Sequence, residues 1–111
     1  MRYLLLIYAD EVAVNALPAE RRREIYHAHL DLYRQLEAAG RLAFAAPLAD
    51  SAATRTLRAD GLLTDGPYAE AKEQVGSIYV VRCADAAGAE ALARRVPAAP
   101  GHAVEIRPVP E

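Results

Sequence analysis

The stretch that decides the fold is "RYLLLIY", residues 2–8. Side chains alternate across a strand, so Tyr3, Leu5 and Ile7 point to one side of a sheet while Leu4 and Leu6 point to the other. Both sides are apolar. A sheet with one wet face alternates apolar with polar residues, and this run does not. "SIYVV", residues 77–81, repeats the pattern. Two such runs predict strands in a sheet that is covered on both faces.

Working outward, "LPAERRREIYHAHLDLYRQLEAAG" predicts one long helix from about Pro18 to Ala39. Proline suits the first helical position, Glu20 favours the positive end of the helix dipole, and Gly40 is a stop. "RLAFAAPLA" and "ATRTLR" read as strands, and Ala59-Asp60-Gly61 as a hairpin turn into "LLT". Pro67 to Gln74 reads as a polar helical turn. "SIYVVRC" is a strand. "DAAGAEALARRV" is a second helix, with Asp85 as its N-cap, Arg94 and Arg95 at its negative end and Pro97 ending it. "HAVEIRPV" alternates like a final strand.

The order β, α, hairpin region, loop, β, α, β is that of an α+β, ferredoxin-like (split βαβ) fold, an antiparallel sheet with both helices on one face. Helices on one side leave the second apolar face bare. A second copy of the chain is the economical cover, which predicts a homodimer with sheets packed face to face.

With 111 residues the chain is one domain, residues 1–111, able to bury roughly 65% of its unfolded surface. The formal net charge is −2, and Arg21-Arg22-Arg23 is flanked by Glu20 and Glu24 and followed by Asp31, so nucleic acid is not an expected partner. No apolar run approaches the ~20 residues that cross a bilayer, and the N-terminus reads as a strand and not as a signal peptide. Cys83 is the single cysteine, in an apolar run; it is expected to be buried and inert, and its lack of a disulfide partner fits a cytoplasmic protein. Three scattered histidines and one cysteine lack zinc spacing, and there is no P-loop, GxGxxG or GxSxG, so neither metal nor cofactor is expected.

Turning the long helix at about 100° per residue from Ile25 places Ala28, Leu32, Leu36 and Ala39 within about 60° of it, a core stripe. His29 falls about 40° from Ile25, within the stripe, whereas His27 falls on the wet side. Tyr26, Leu30 and Tyr33 occupy a flank suited to a pocket edge or a dimer seam. A histidine on an apolar stripe is either a satisfied core residue or a poised acid/base, and an aspartate beside it would fix its tautomer. Asp65 is the candidate partner.

Asp65 opens "DGPYAEAKEQVGSIYVV", residues 65–81. Gly66 allows backbone angles closed to other residues, Pro67 keeps its predecessor out of helix, and Asp65 can form an Asx-turn. With "MRYLLLIYADE" at the start and "AVEIRPV" at the end, this wording resembles the DGPF-type branch of the YCII-related family over nearly the whole chain. Tyr68 stands where that branch has phenylalanine, and Ala71 where it has threonine. The resemblance implies a dimeric α+β barrel, an active-site pair formed by His29 and Asp65, and a genomic or regulatory association with extracytoplasmic-function sigma factors. It makes Gly66, Pro67 and Tyr68 candidate ligand contacts.

Other candidates come from the residues themselves. Glu70, Lys72 and Glu73 either line a pocket mouth, with Lys72 as a ligand contact, or form a solvated turn. Glu105 and Arg107 share one face of the last strand, where Arg107 either holds an anionic substrate or pairs with Glu105. Tyr8, at the end of the first strand, either presents its hydroxyl at a cavity rim or simply packs. These readings lead to a cofactor-free acid/base enzyme, by elimination or isomerisation, on a small polar organic molecule. The other reading is a metabolite-binding or regulatory module.

Overall fold

The strand read at residues 2–8 runs from Arg2 to Asp10 (β1) in the computed structural model, which describes residues 1–111. A short helix, Glu11–Asn15 (α1), and the long helix Ala19–Ala38 (α2) follow, then strand Leu42–Pro47 (β2) and a 3₁₀ turn at Ser51–Ala53. The remaining elements are strands Arg55–Leu57 (β3), Leu63–Asp65 (β4) and Glu73–Arg82 (β5), helix Ala86–Ala93 (α3) and strand Ala103–Val109 (β6). Four strands make one sheet in the order β2-β5-β1-β6, each neighbouring pair antiparallel. This is consistent with the ferredoxin-like fold expected. Its two central strands are the two runs with apolar residues on both sides.

One face of the sheet forms the core. Tyr3, Leu5 and Ile7 of β1 and Tyr79 and Val81 of β5 lie beneath Leu32 and Leu36 of α2 and Ala89, Leu92 and Ala93 of α3, all buried. Cys83 is buried with them, as expected. On the other face Leu4, Leu6, Ile78 and Val80 are only half-buried, and Phe44 of β2, opposite Val80, is 54% exposed. The molecule measures 41 × 39 × 19 Å, thin enough for one sheet and one helical layer. The second apolar face is thus bare in the single chain.

α2 stops where its sequence directs. Gly40 takes φ +70°, its N–H donates to Glu37 O at 3.0 Å, and Arg41 N–H donates to Leu36 O at 2.8 Å. That is the paired closure of a glycine-ended helix. α3 starts on Asp85, whose side chain accepts from Gly88 N–H at 2.9 Å. The hairpin turn is also as read, with Gly61 at φ +89° and Asp60 accepting from Leu62 N–H at 2.9 Å.

Several expectations need correction. Pro18 sits one residue before the helix, in extended geometry, and gives it no side-chain cap. Ala39 is exposed because it is the C-cap that follows α2 and not part of the core stripe. The helical turn at Pro67–Gln74 is absent. Glu73 and Gln74 already belong to β5, pairing with Asp10 and Ala9, because a long sheet partner outweighs weak local helix preference. The β3–β4 hairpin forms its own two-stranded sheet and does not join the main one. α1 was not anticipated. Asp10 caps it by accepting from Ala13 N–H at 3.2 Å, and this contact, offset in part by burial and reinforced by Lys72 Nζ at 3.3 Å, holds the Asp10 carboxyl below its usual range.

The chain before β6 is tied to the end of β1. Asp10 N–H donates to Pro100 O at 2.8 Å, and Gly101 follows at φ +75°. A Cβ at residue 101 would lie 2.7 Å from Asp10 N, a backbone atom that cannot swing away. Gly101→Ala is therefore expected to destabilise the fold by at least about 2 kcal/mol, from left-handed strain plus the clash. Urea denaturation checks this, and a loss below about 0.5 kcal/mol would contradict the backbone contact.

Candidate functional site

His29 occupies the stripe of α2 that faces β5, and its Nδ1 lies 2.5 Å from the hydroxyl of Tyr79. Tyr79 itself is 0% exposed, so its O–H needs a protein partner, and His29 supplies it. Tyr33, one turn along α2, completes a cluster of three rings. Its centroid is 5.1 Å from that of Tyr79 and 6.2 Å from that of His29. His27 points to solvent, as the helical geometry required.

Burial sets the protonation of this cluster. It lowers the pKa of His29 below the ordinary 6.5, and the nearby His102 adds to the effect by like-charge repulsion. Burial, with Tyr33 as a neighbour, raises the pKa of Tyr79, so its hydroxyl keeps its proton; Tyr33 is raised too, again chiefly by burial. At neutral pH His29 is thus an uncharged imidazole in contact with a protonated phenol. Its Nε2 makes no protein hydrogen bond and is not sealed from solvent.

His29 opens onto a cavity of about 220 Å³ at one end of the sheet. α2 forms one wall with Arg22, Ile25, Tyr26, His29 and Tyr33. β1 supplies Ile7, Tyr8 and Ala9, and β5 supplies Gly76 and Ser77 at the irregularity where Ile7 pairs with Ser77 but Tyr8 pairs with Val75. That bulge bends β5 and opens the space. Pro97, Ala99 and His102, from the segment before β6, close the far side. The volume is below the ~300 to 1,000 Å³ of drug-sized sites and suits a small metabolite.

The other expected residues are elsewhere. Asp65 ends β4, where its side chain is 93% exposed and pairs with Arg55 Nε at 3.5 Å across the hairpin. Within the chain it makes no bond to His29: the hairpin forms a sheet of its own, and the Asp65 carboxylate stands in solvent beside Arg55. Gly66, at φ +95°, donates its N–H to Thr54 O at 2.7 Å. Pro67 and Tyr68 border a second depression with Leu48 and Thr54, and the exposed Tyr68 ring lies under the Arg58 guanidinium at 5.3 Å. Lys72 bridges to Asp10 and lies outside the His29 cavity. Arg107 pairs with Glu105 at 3.7 Å on the bare sheet face, and the Tyr8 hydroxyl donates to the same carboxylate at 3.4 Å. Of the expected site residues, His29 and Tyr8 line the cavity, and so do Tyr26 and Tyr33 from the flank read as a pocket edge, whereas Leu30 does not.

Tyr79, His102 and Arg22 were not singled out from sequence. Tyr79 had read as one more apolar strand residue, and His102 as the first residue of the final strand, which instead begins at Ala103. No cluster of three or more His, Cys, Asp or Glu side chains is placed to hold a metal ion.

The comparisons with known proteins point to a family. An uncharacterised protein of Rhizobium meliloti (strain 1021) is 33% identical over 87 residues, covering 76% of this chain and 70% of that protein. The YCII-related domain matches residues 1–111, the entire chain, which therefore belongs to the YCII-related family.

Proposed function

We propose that the chain is a cofactor-free acid/base catalyst of the DGPF-type branch, working by elimination or isomerisation on a small organic molecule in the His29 cavity. The observation that carries this reading is the 2.5 Å contact of His29 Nδ1 with a fully buried phenol, with Nε2 left open beside the cavity. A phenol both donates and accepts, so it supports either imidazole tautomer. When Tyr79 O–H donates to Nδ1, Nε2 carries the proton of a neutral imidazole and donates only a hydrogen bond. When Nδ1–H donates to the Tyr79 oxygen, Nε2 offers its lone pair as the base, and the imidazolium so formed returns that proton as the acid. The depressed pKa of His29 keeps the base form populated at neutral pH. Tyr79 orients the ring in the place where the sequence had put Asp65.

A proton-abstraction test follows. In D₂O, the protein is expected to catalyse deuterium exchange into a substrate carbon acid, and His29→Gln to reduce that rate by about 10²- to 10⁴-fold. Binding of the same molecule without exchange or turnover would favour the metabolite-binding reading.

The reading also predicts a pH signature. Folded His29 resists protonation that the unfolded chain accepts near pH 6.5, so its contribution to stability is complete above about 6.5 and declines as pH falls towards the lower folded value. Urea denaturation at pH 7.5 and 5.5 is expected to show a smaller loss on acidification for His29→Gln than for the parent. Tyr79→Phe is expected to lower stability by about 1–3 kcal/mol, by leaving Nδ1 unpartnered, and to alter the ¹⁵N shifts of His29. Asp65→Asn is expected to leave those shifts in place; a change there would restore the aspartate as the partner.

The same reading includes a second copy of the chain on the bare sheet face. Its support is the continuous apolar surface of Leu4, Leu6, Phe44, Ile78 and Val80, which a two-fold related copy would cover with itself. Light scattering is expected to give twice the 12.0 kDa chain mass, and Val80→Asp to return the monomer. A parent protein at 12.0 kDa would end this part of the proposal.

A further inference from the structure

The cavity has a charge character that the acid/base reading does not require. No aspartate or glutamate is among its 15 lining residues, in a chain where 15 of 111 residues are acidic. Its polar side chains are one guanidinium (Arg22), two imidazoles (His29 and His102), the hydroxyls of Tyr26 and Tyr33, and Ser77; the Tyr8 hydroxyl turns to Glu105 on the other sheet face. The rest is apolar, chiefly Ile7, Val14, Ile25 and Pro47.

Arg22 is the informative residue. Its neighbour Arg21 pairs with Glu24 at 3.0 Å, and Arg34 on the same helix pairs with Asp31 at 3.6 Å. Arg22 has no carboxylate partner, and it stands in the first turn of α2, where the helix dipole disfavours a cation. Arg23 beside it is unpaired as well, and what distinguishes Arg22 is that it lines the cavity. Across the cavity, the Nδ1 of His102 is buried with no partner. Orphaned N–H groups are rarer than under-satisfied acceptors, so the proton belongs on Nε2, which is not sealed from solvent. Donors thus stand on both sides of a largely apolar space, with no acceptor of full charge among them.

We infer that the cavity takes a small carboxylate with a compact apolar body, its anionic end held by Arg22 with His102 as a second donor and its body against Ile7, Val14 and Ile25. Planar guanidinium binds carboxylate in a fork, and the partly apolar walls strengthen that pairing relative to open solvent. This names the ligand class of the site in the proposed function and rests on that reading for its catalytic meaning alone.

Binding tests it without turnover. Benzoate, benzamide and benzyl alcohol are titrated into the full chain and followed by ¹H–¹⁵N NMR. Benzoate is expected to shift the resonances of α2 and of residues 99–102 and to bind at least about tenfold more tightly than either neutral isostere. Arg22→Gln is expected to erase that preference, and Arg23→Gln, on the far side of the helix, to leave it intact. Both arginines are exposed, so folding is not at issue. Equal affinity for benzoate and benzamide, no benzoate shift at millimolar concentration, or a preference that survives Arg22→Gln would overturn the inference. Failure of the acid/base reading looks different: carboxylates bind with the Arg22-dependent preference, and no deuterium exchange occurs.

Discussion

A hydroxyl buried at the centre of the sheet constrains the rest. Tyr79 is wholly enclosed on β5, and a phenol removed from water must recover a hydrogen bond or forfeit about 1–3 kcal/mol. The helix above supplies one histidine at the required position. Leu32 and Leu36 fix how closely α2 approaches the sheet, since they are its two buried residues. The stripe they belong to sets which side of α2 faces the sheet. The His29–Tyr79 bond is directional, and it fixes the rotation of the helix within that choice. Once that rotation is set, Tyr33 meets Tyr79, His27 faces water, and Arg22 and Tyr26 come to line the open end.

The cavity exists because packing is uneven along α2. Its second half is pressed onto the sheet by the two leucines, whereas the half towards its start, from Ile25 to His29 at the midpoint, is only half-buried on that side. Beneath that half, the bulge at Gly76 bends β5 and Pro47 ends β2. Gly101, held against Asp10, then brings His102 to the far wall. A close-packed interior would have left His29 inert. An opening beside it leaves one ring nitrogen engaged and the other accessible.

The Asp-Gly-Pro corner shows how far local chemistry reaches. The turn itself was legible, and Gly66 takes the positive φ that the wording demands. Its destination was not. Asp65 and His29 both fit a picture in which two polar groups meet over a sheet, but β3 and β4 pair with each other and leave the main sheet, so Asp65 meets Arg55. Strand pairing depends on which edges are free, and that is a property of the assembled sheet.

Periodicity and turn chemistry in the sequence determined the class of fold, the two strands with two apolar faces, the long helix, its glycine stop and the inward turn of His29. Each follows from forces acting within a few residues: alternation in a strand, about 100° per residue in a helix, left-handed geometry at glycine. Tertiary structure alone decided that His29 answers to Tyr79, that His102 and Arg22 share its cavity, and that Asp65 stands apart. These contacts join residues 29 and 79, or 22 and 102, and no local periodicity encodes separations of that length. They arise where burial obliges polar groups to find partners from whatever the folded chain brings near.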